Sequence, residues 1–73
     1  MKIKSLGANQ TEVWLADGSE VLVSYQTPVA VRLQTGEQFK TEKKWSNTTT
    51  RHISKWGGKE WPTKPQEFFD GLV

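Results

Sequence analysis

The sequence predicts an α+β fold, a small antiparallel sheet of about five strands followed by a short basic helix and a C-terminal helical turn. Three observations carry that expectation. Short apolar runs with a period of two recur between Gly, Pro and Asp punctuation over residues 2–45. Residues 47–56 instead have helical spacing. The length of 73 residues suits one domain, with the C-terminal segment 59–73 closing it. An open layer and a small, partly open barrel capped by the helix both fit this order of elements.

Lys2–Leu6 and Thr11–Ala16 have the short, bounded character of strands, with a turn over residues 7–10 between them. Asp17-Gly18 lies between Val13-Trp14-Leu15 and Val21–Tyr25 and predicts a hairpin with a type I′ turn, positive φ at both central residues. Val21, Val23 and Tyr25 alternate with Leu22 and Ser24, and Val29, Val31 and Leu33 alternate with Ala30 and Arg32. Each pattern predicts a strand with one face in the core. Pro28 has no amide hydrogen and belongs at a strand entrance or on an edge. After Thr35-Gly36, a fifth strand is expected to run to Trp45, with Phe39, Thr41, Lys43 and Trp45 on one face.

Ser46-Asn47-Thr48 offers side-chain oxygens to the free amides of a helix start, and Gly57-Gly58 closes the segment. At about 100° per residue, Thr49, Ile53 and Trp56 form one stripe, while Arg51 and Lys55 point away from it. Three consecutive Thr residues are poor helix formers, so packing on the sheet must hold this helix. Thr63 and Gln66 have capping-box spacing, Pro65 suits a first helical turn, and a short terminal helix ending at Gly71 would lay Phe68, Phe69 and Leu72 on the sheet.

Composition narrows the function classes. The chain has no cysteine and one histidine, which excludes disulfides and thiolate metal sites and leaves no expected metal or cofactor. The start lacks the continuous apolar stretch of a signal peptide, and no run is long enough for a membrane span, so the expectation is a cytoplasmic protein without membrane contact. With so few aliphatic residues, the four Trp residues at 14, 45, 56 and 61 are the first candidates for the core. Net charge is only +2, but residues 40–64 carry seven basic and two acidic side chains. Such asymmetry marks either an anionic partner or a solvated face.

The basic segment holds Lys40, Lys43, Lys44, Arg51, Lys55, Lys59 and Lys64, interleaved with Trp45, Trp56 and Trp61. Clustered cations bind phosphate backbones by releasing condensed counterions, and exposed aromatic rings stack on unpaired bases. The expected DNA or RNA contacts are Lys43, Lys44, Arg51, Lys55, Lys59 and Lys64, with Trp61 stacking or bracing the surface. No zinc finger or RNP aromatic pair accompanies them. His52 lies near Thr50 and Ser54, yet no orienting acid or oxyanion site is recognisable, so it is read as a boundary residue beside the buried stripe and no enzymatic activity is expected. Tyr25–Pro28 is either a recognition loop or a turn set by Pro28 and Thr27, and Trp61-Pro62 either an interface anchor or a pin on the core.

The strings Ser24-Tyr25-Gln26-Thr27-Pro28-Val29-Ala30 and Thr48-Thr49-Thr50-Arg51-His52-Ile53-Ser54-Lys55-Trp56 resemble a pattern in small bacteriophage and mobile-element proteins that have no established activity. The resemblance spans roughly residues 21 to 56 and carries over no catalytic or ligand residue. It implies a bacterial or phage-infected cytoplasm. The leading expectation is a non-enzymatic nucleic-acid-associated binding module. The rival is a protein-interaction module, such as a phage-encoded modulator of a host protein or a homodimer formed along an uncovered sheet edge, because Trp and Tyr are common interface anchors.

Overall fold

Six strands and two helices make up the computed structural model, which describes residues 2–7 and 9–72. The strands are β1 (Lys2–Gly7), β2 (Gln10–Trp14), β3 (Glu20–Ser24), β4 (Thr27–Arg32), β5 (Gln38–Thr41) and β6 (Thr63–Lys64). The helix α1 (Asn47–Lys55) lies between β5 and β6, and α2 (Gln66–Asp70) follows β6. The sheet order is β1-β2-β3-β4-β5-β6, antiparallel through β5. β6 then pairs parallel to β5 after the α1 crossover, with Lys40 N–H donating to Pro62 O at 3.0 Å and Glu42 N–H to Lys64 O at 2.9 Å. The sheet is therefore open, with one more strand than expected and one parallel pair, and it does not close into a barrel.

The expected hairpin at Asp17-Gly18 forms, but with a different turn. Gly18 N–H donates to Leu15 O, Leu15 N–H donates to Ser19 O, and only Gly18 has positive φ, at 93°. A turn with a left-handed residue at its end needs one glycine, where type I′ would need two permissive residues. Leu33–Glu37 repeats the same bonds. Between β3 and β4 the loop is two residues, Tyr25 and Gln26, and Tyr25 adopts φ 60°.

Each face of the sheet carries a helix. On one, Leu22, Val29 and Ala30 pack with Ile53 and Trp56 of α1. On the other, Val13, Val21 and Val31 pack with Phe69, flanked by Phe68 and Leu72. The one-sided pattern expected for β3 and β4 is thus corrected: neighbouring residues such as Val21 and Leu22 are both fully buried, because both faces are covered. Pro28 sits at the entrance of β4 as expected. The ladder runs from Leu22–Ala30 directly to Val23–Pro28, so Val29 is an extra residue and the missing amide falls at this bulge.

The fifth strand ends four residues earlier than expected. Thr41 Oγ1 accepts the Lys43 N–H at 3.2 Å, and this local side-chain bond turns the backbone out of the ladder. Residues 43–46 leave the sheet, and Trp45 is 41% exposed instead of facing the core. Trp14 is also a correction, at 40% exposure. It pairs with Lys2 at the β1–β2 end of the sheet, whereas α1 packs over β3 and β4. Of the four Trp residues, Trp56 is buried and Trp61 half-buried.

Both ends of α1 are capped. Ser46 Oγ accepts the Thr49 N–H at 3.2 Å. At the other end Gly58 N–H donates to Ile53 O and Gly57 N–H to Ser54 O, the paired bonds of a Schellman motif, with Gly57 at φ 100°. Thr49, Ile53 and Trp56 are buried, and Arg51 and Lys55 are exposed, as the spacing predicted. α2 departs from expectation: its N-cap is Pro65 without a side-chain cap bond, and Gln66 reaches inward instead of back to Thr63.

Candidate nucleic-acid interface

The turn forced by Thr41 sends residues 43–46 out beside α1, and a groove of about 500 Å³ opens between them. Lys40, Lys43, Lys44 and Lys59 line it together with Thr50 and Ser54 of α1, and Glu42 is the acidic member of the lining. Lys40 Nζ donates to the Lys59 carbonyl and so crosses the groove from β5. The first turn of α1 carries no acidic residue, so the helix adds no negative charge beside the groove. The arrangement offers several ammonium donors and hydroxyls in one concavity, which suits phosphate oxygens.

Of the residues expected to contact nucleic acid, the structure gathers Lys43, Lys44 and Lys59 in this groove. Lys40, from the same basic run, joins them; alternation along β5 with Phe39 was the signal that placed it on the α1 face. Arg51 and Lys55 are exposed on α1 but do not line the groove. Lys64 lies apart from the groove, over the α2-side aromatics, with Nζ 4.9 Å from the Phe39 ring centre and 5.8 Å from that of Phe68.

Trp61 braces the core. Its ring lies 5.7 Å from Trp56 in an edge arrangement, and Gly58 sits so close that a Cβ there would be 3.0 Å from Trp61 Cε3. The same cluster holds Arg32, which lies outside the basic segment. Its guanidinium is 4.1 Å from the Trp56 ring centre, donates to the Trp56 carbonyl, and faces Glu12 at 3.8 Å and Glu20 at 3.7 Å. Trp56 Nε1 donates to Glu12 Oε1 at 3.2 Å. Arg32 therefore ties α1 to three strands, a role that a one-sided reading of β4 hides.

His52 is buried, not a boundary residue. Ser24 Oγ lies 2.8 Å from His52 Nδ1 and 3.0 Å from Thr49 Oγ1, joining β3 to α1. Among the described residues no carboxylate bonds the imidazole, so the Ser–His pair has a neighbour but no orienting acid. Tyr25 covers it, with ring centres 6.2 Å apart. Beside Tyr25 lies a second concavity of about 300 Å³ that also includes Trp45. Neither Ser24 nor the inward role of Gln66, which fixes Trp45, carried a sequence signal, because the partners are 21 to 38 residues away.

No group of three or more His, Asp or Glu side chains gathers among the described residues, and no helix is long and apolar enough to cross a membrane. The profile of a family of unknown function (DUF8033) matches residues 1–71 of the 73. The chain belongs to this family. Membership in DUF8033 agrees with the earlier resemblance in attaching no activity to these residues, and it says nothing of a phage source. No curated protein and no solved structure matches the chain.

Proposed function

We propose that this DUF8033 protein is a non-enzymatic module that binds the phosphate backbone of a nucleic acid in the groove between residues 40–44 and α1. The observation that carries the reading is the convergence of Lys40, Lys43, Lys44 and Lys59 on one concavity beside a helix without acidic residues in its first turn. Four lysines against the single carboxylate of Glu42 leave the lining with a net positive charge, which an anionic ligand neutralises. Arg51 and Lys55, on the exposed side of α1, extend the positive surface and serve as secondary phosphate contacts. Lys64 and Trp61 are left out of the contact set, because neither lines the groove: Lys64 lies over Phe39 and Phe68, and Trp61 packs on Trp56.

Fluorescence anisotropy of labelled single- and double-stranded DNA and RNA, at low and near-physiological salt, tests this. Binding should weaken steeply as salt rises. Reversing Lys44 and Lys59 to Glu should weaken it more than reversing Arg51 and Lys55. Equal losses from the two pairs would move the contact off the groove.

A protein-interaction reading rests on the opposite end of the sheet. There the edge strand β1 exposes Ile3 at 70%, next to the exposed Trp14. Lys2 and Lys4 on that edge oppose self-pairing, so this reading calls for a different protein, such as a host factor, as partner. Pull-down from nuclease-treated bacterial lysate separates the readings: a retained protein lost on Trp14→Ala supports the edge, and an empty eluate counts against it.

A further inference from the structure

Two exposed aromatic rings line the smaller concavity, and neither is free. Trp45 Nε1 donates to Gln66 Oε1 at 3.2 Å. Gln66 Oε1 also accepts from Thr41 Oγ1, and its Nε2 donates to Pro28 O, both at 2.8 Å. One face of the indole lies under Lys43 Nζ, 4.2 Å from the ring centre. Tyr25 is held at φ 60°, a conformation that is unfavourable for a bulky side chain and that clusters at binding sites when the surroundings enforce it. Its ring leans on buried His52. Between these walls the floor is formed by the buried residues Ser24, Thr49 and Val29, with the two hydroxyls bonded to each other at 3.0 Å.

The geometry points to a base-binding pocket: Tyr25 and Trp45 take one unpaired nucleobase of a single-stranded nucleic acid, while its neighbouring phosphates lie along Lys43, Lys44 and Lys59. This rests on the phosphate-groove reading and adds to it the strand form and the stacking residues. About 300 Å³ is at the small end of ligand pockets, enough for one flat ring system. The flanking segment connects the two sites directly, since Lys43 and Lys44 line the groove and Trp45 and Ser46 line the pocket. A duplex keeps its base faces stacked on one another and offers none to the pocket without flipping one out. Immobilised rings lose little freedom on stacking, and Lys43 above Trp45 leaves the opposite indole face for the base.

The test compares a labelled single-stranded 12-mer with its duplex, using the full chain, Trp45→Ala, Trp45→Phe, Tyr25→Asn and the double variant Lys43→Glu/Lys44→Glu. Asn tolerates positive φ, so Tyr25→Asn removes the ring without adding backbone strain. The expected result is tighter binding of the single strand, weakened roughly 5- to 140-fold by Trp45→Ala and by Tyr25→Asn, and largely restored in Trp45→Phe. Duplex affinity should not respond to either ring. Should a variant fail to fold, the indole N–H resonance of Trp45 in the unmodified protein, assigned through Trp45→Phe, must still shift when the single strand is added. Single-strand binding that ignores both rings and leaves that resonance in place, but is lost in the lysine double variant, overturns the pocket and leaves the groove standing. Absence of binding to either strand form at low salt overturns both.

Discussion

Arg32 shows how one side chain can organise several elements of a small protein. Its ion pairs at 3.7 and 3.8 Å are longer than direct hydrogen bonds, so stacking on Trp56 and the bond to the Trp56 carbonyl carry more of its effect. Lysine keeps the charge but not the planar fork. Arg32→Lys is expected to cost about 1–2 kcal/mol in urea unfolding, near the range for a partly desolvated cation–π contact. A change of a few tenths would reduce the stack to a bystander. Gly58 is limited by space alone: a Cβ would lie 2.9 Å from Ile53 Cγ2. Gly58→Ala should destabilise by about 1–3 kcal/mol through overpacking, seen as a lower melting temperature. Asp17 is held below the usual carboxylate range, first by the hydrogen bond from the Ser19 N–H at 2.8 Å. The native state therefore favours its ionised form. That contribution is present above the unfolded-state pKa and is lost as pH falls through the lower folded value, so Asp17→Asn should matter near neutral pH and cease to matter in acid.

α1 is an unpromising helix by propensity, with three Thr residues in its first half, and it depends on its caps and its buried stripe. Ser46→Ala should cost about 1 kcal/mol by leaving the Thr49 amide without its side-chain acceptor, measured by denaturant unfolding. The same helix separates stability from the proposed function. Asn47→Asp adds an acid to a first turn that has none and should stabilise the fold by about 0.3–1 kcal/mol. The added negative charge, three residues along the chain from Lys44, lowers the net positive charge of this region and should at the same time weaken nucleic-acid binding, so the two measurements are expected to move in opposite senses. Stability and affinity rising together would detach the groove from the helix terminus. This helix was legible because its signals are local: the cap, the glycine pair and the 3–4 spacing lie within thirteen residues. The end of β5 was not, since Thr41 turning the Lys43 amide out of the ladder competes with an alternation that continues to Trp45.

Across the molecule, the sheet is covered on both faces by helices of unequal reach. α1 and α2 cover the middle strands and leave the β1–β2 end, with Ile3 and Trp14, uncovered. The continuous apolar runs Val21-Leu22-Val23 and Val29-Ala30-Val31 were the sequence's sign of two-sided burial, hidden by the period-two pattern of their polar flanks. The hairpin turns were legible as breaks between strands, but the order of the strands across the sheet was not read from them. The parallel β6 was not legible either, because two residues carry no periodicity and their pairing depends on the crossover through α1. For the site, composition located the charge but not the side of the fold: Lys64 and Lys59 are five residues apart, yet one lies over Phe39 and Phe68 and the other in the groove. Aromatic residues misled more, because burial of a Trp depends on which helix reaches it.

The central claim is that the lysine groove binds phosphates, and it is tested most directly by measuring affinity for a labelled single-stranded oligonucleotide across a series of salt concentrations, for the unmodified protein and for Lys43→Glu/Lys44→Glu. Binding should fall linearly on logarithmic axes, and loss of two phosphate contacts should flatten the slope by about 1.4, at about 0.7 per contact on a single strand. The same slope and affinity in both proteins, or no binding at the lowest salt, would contradict the account.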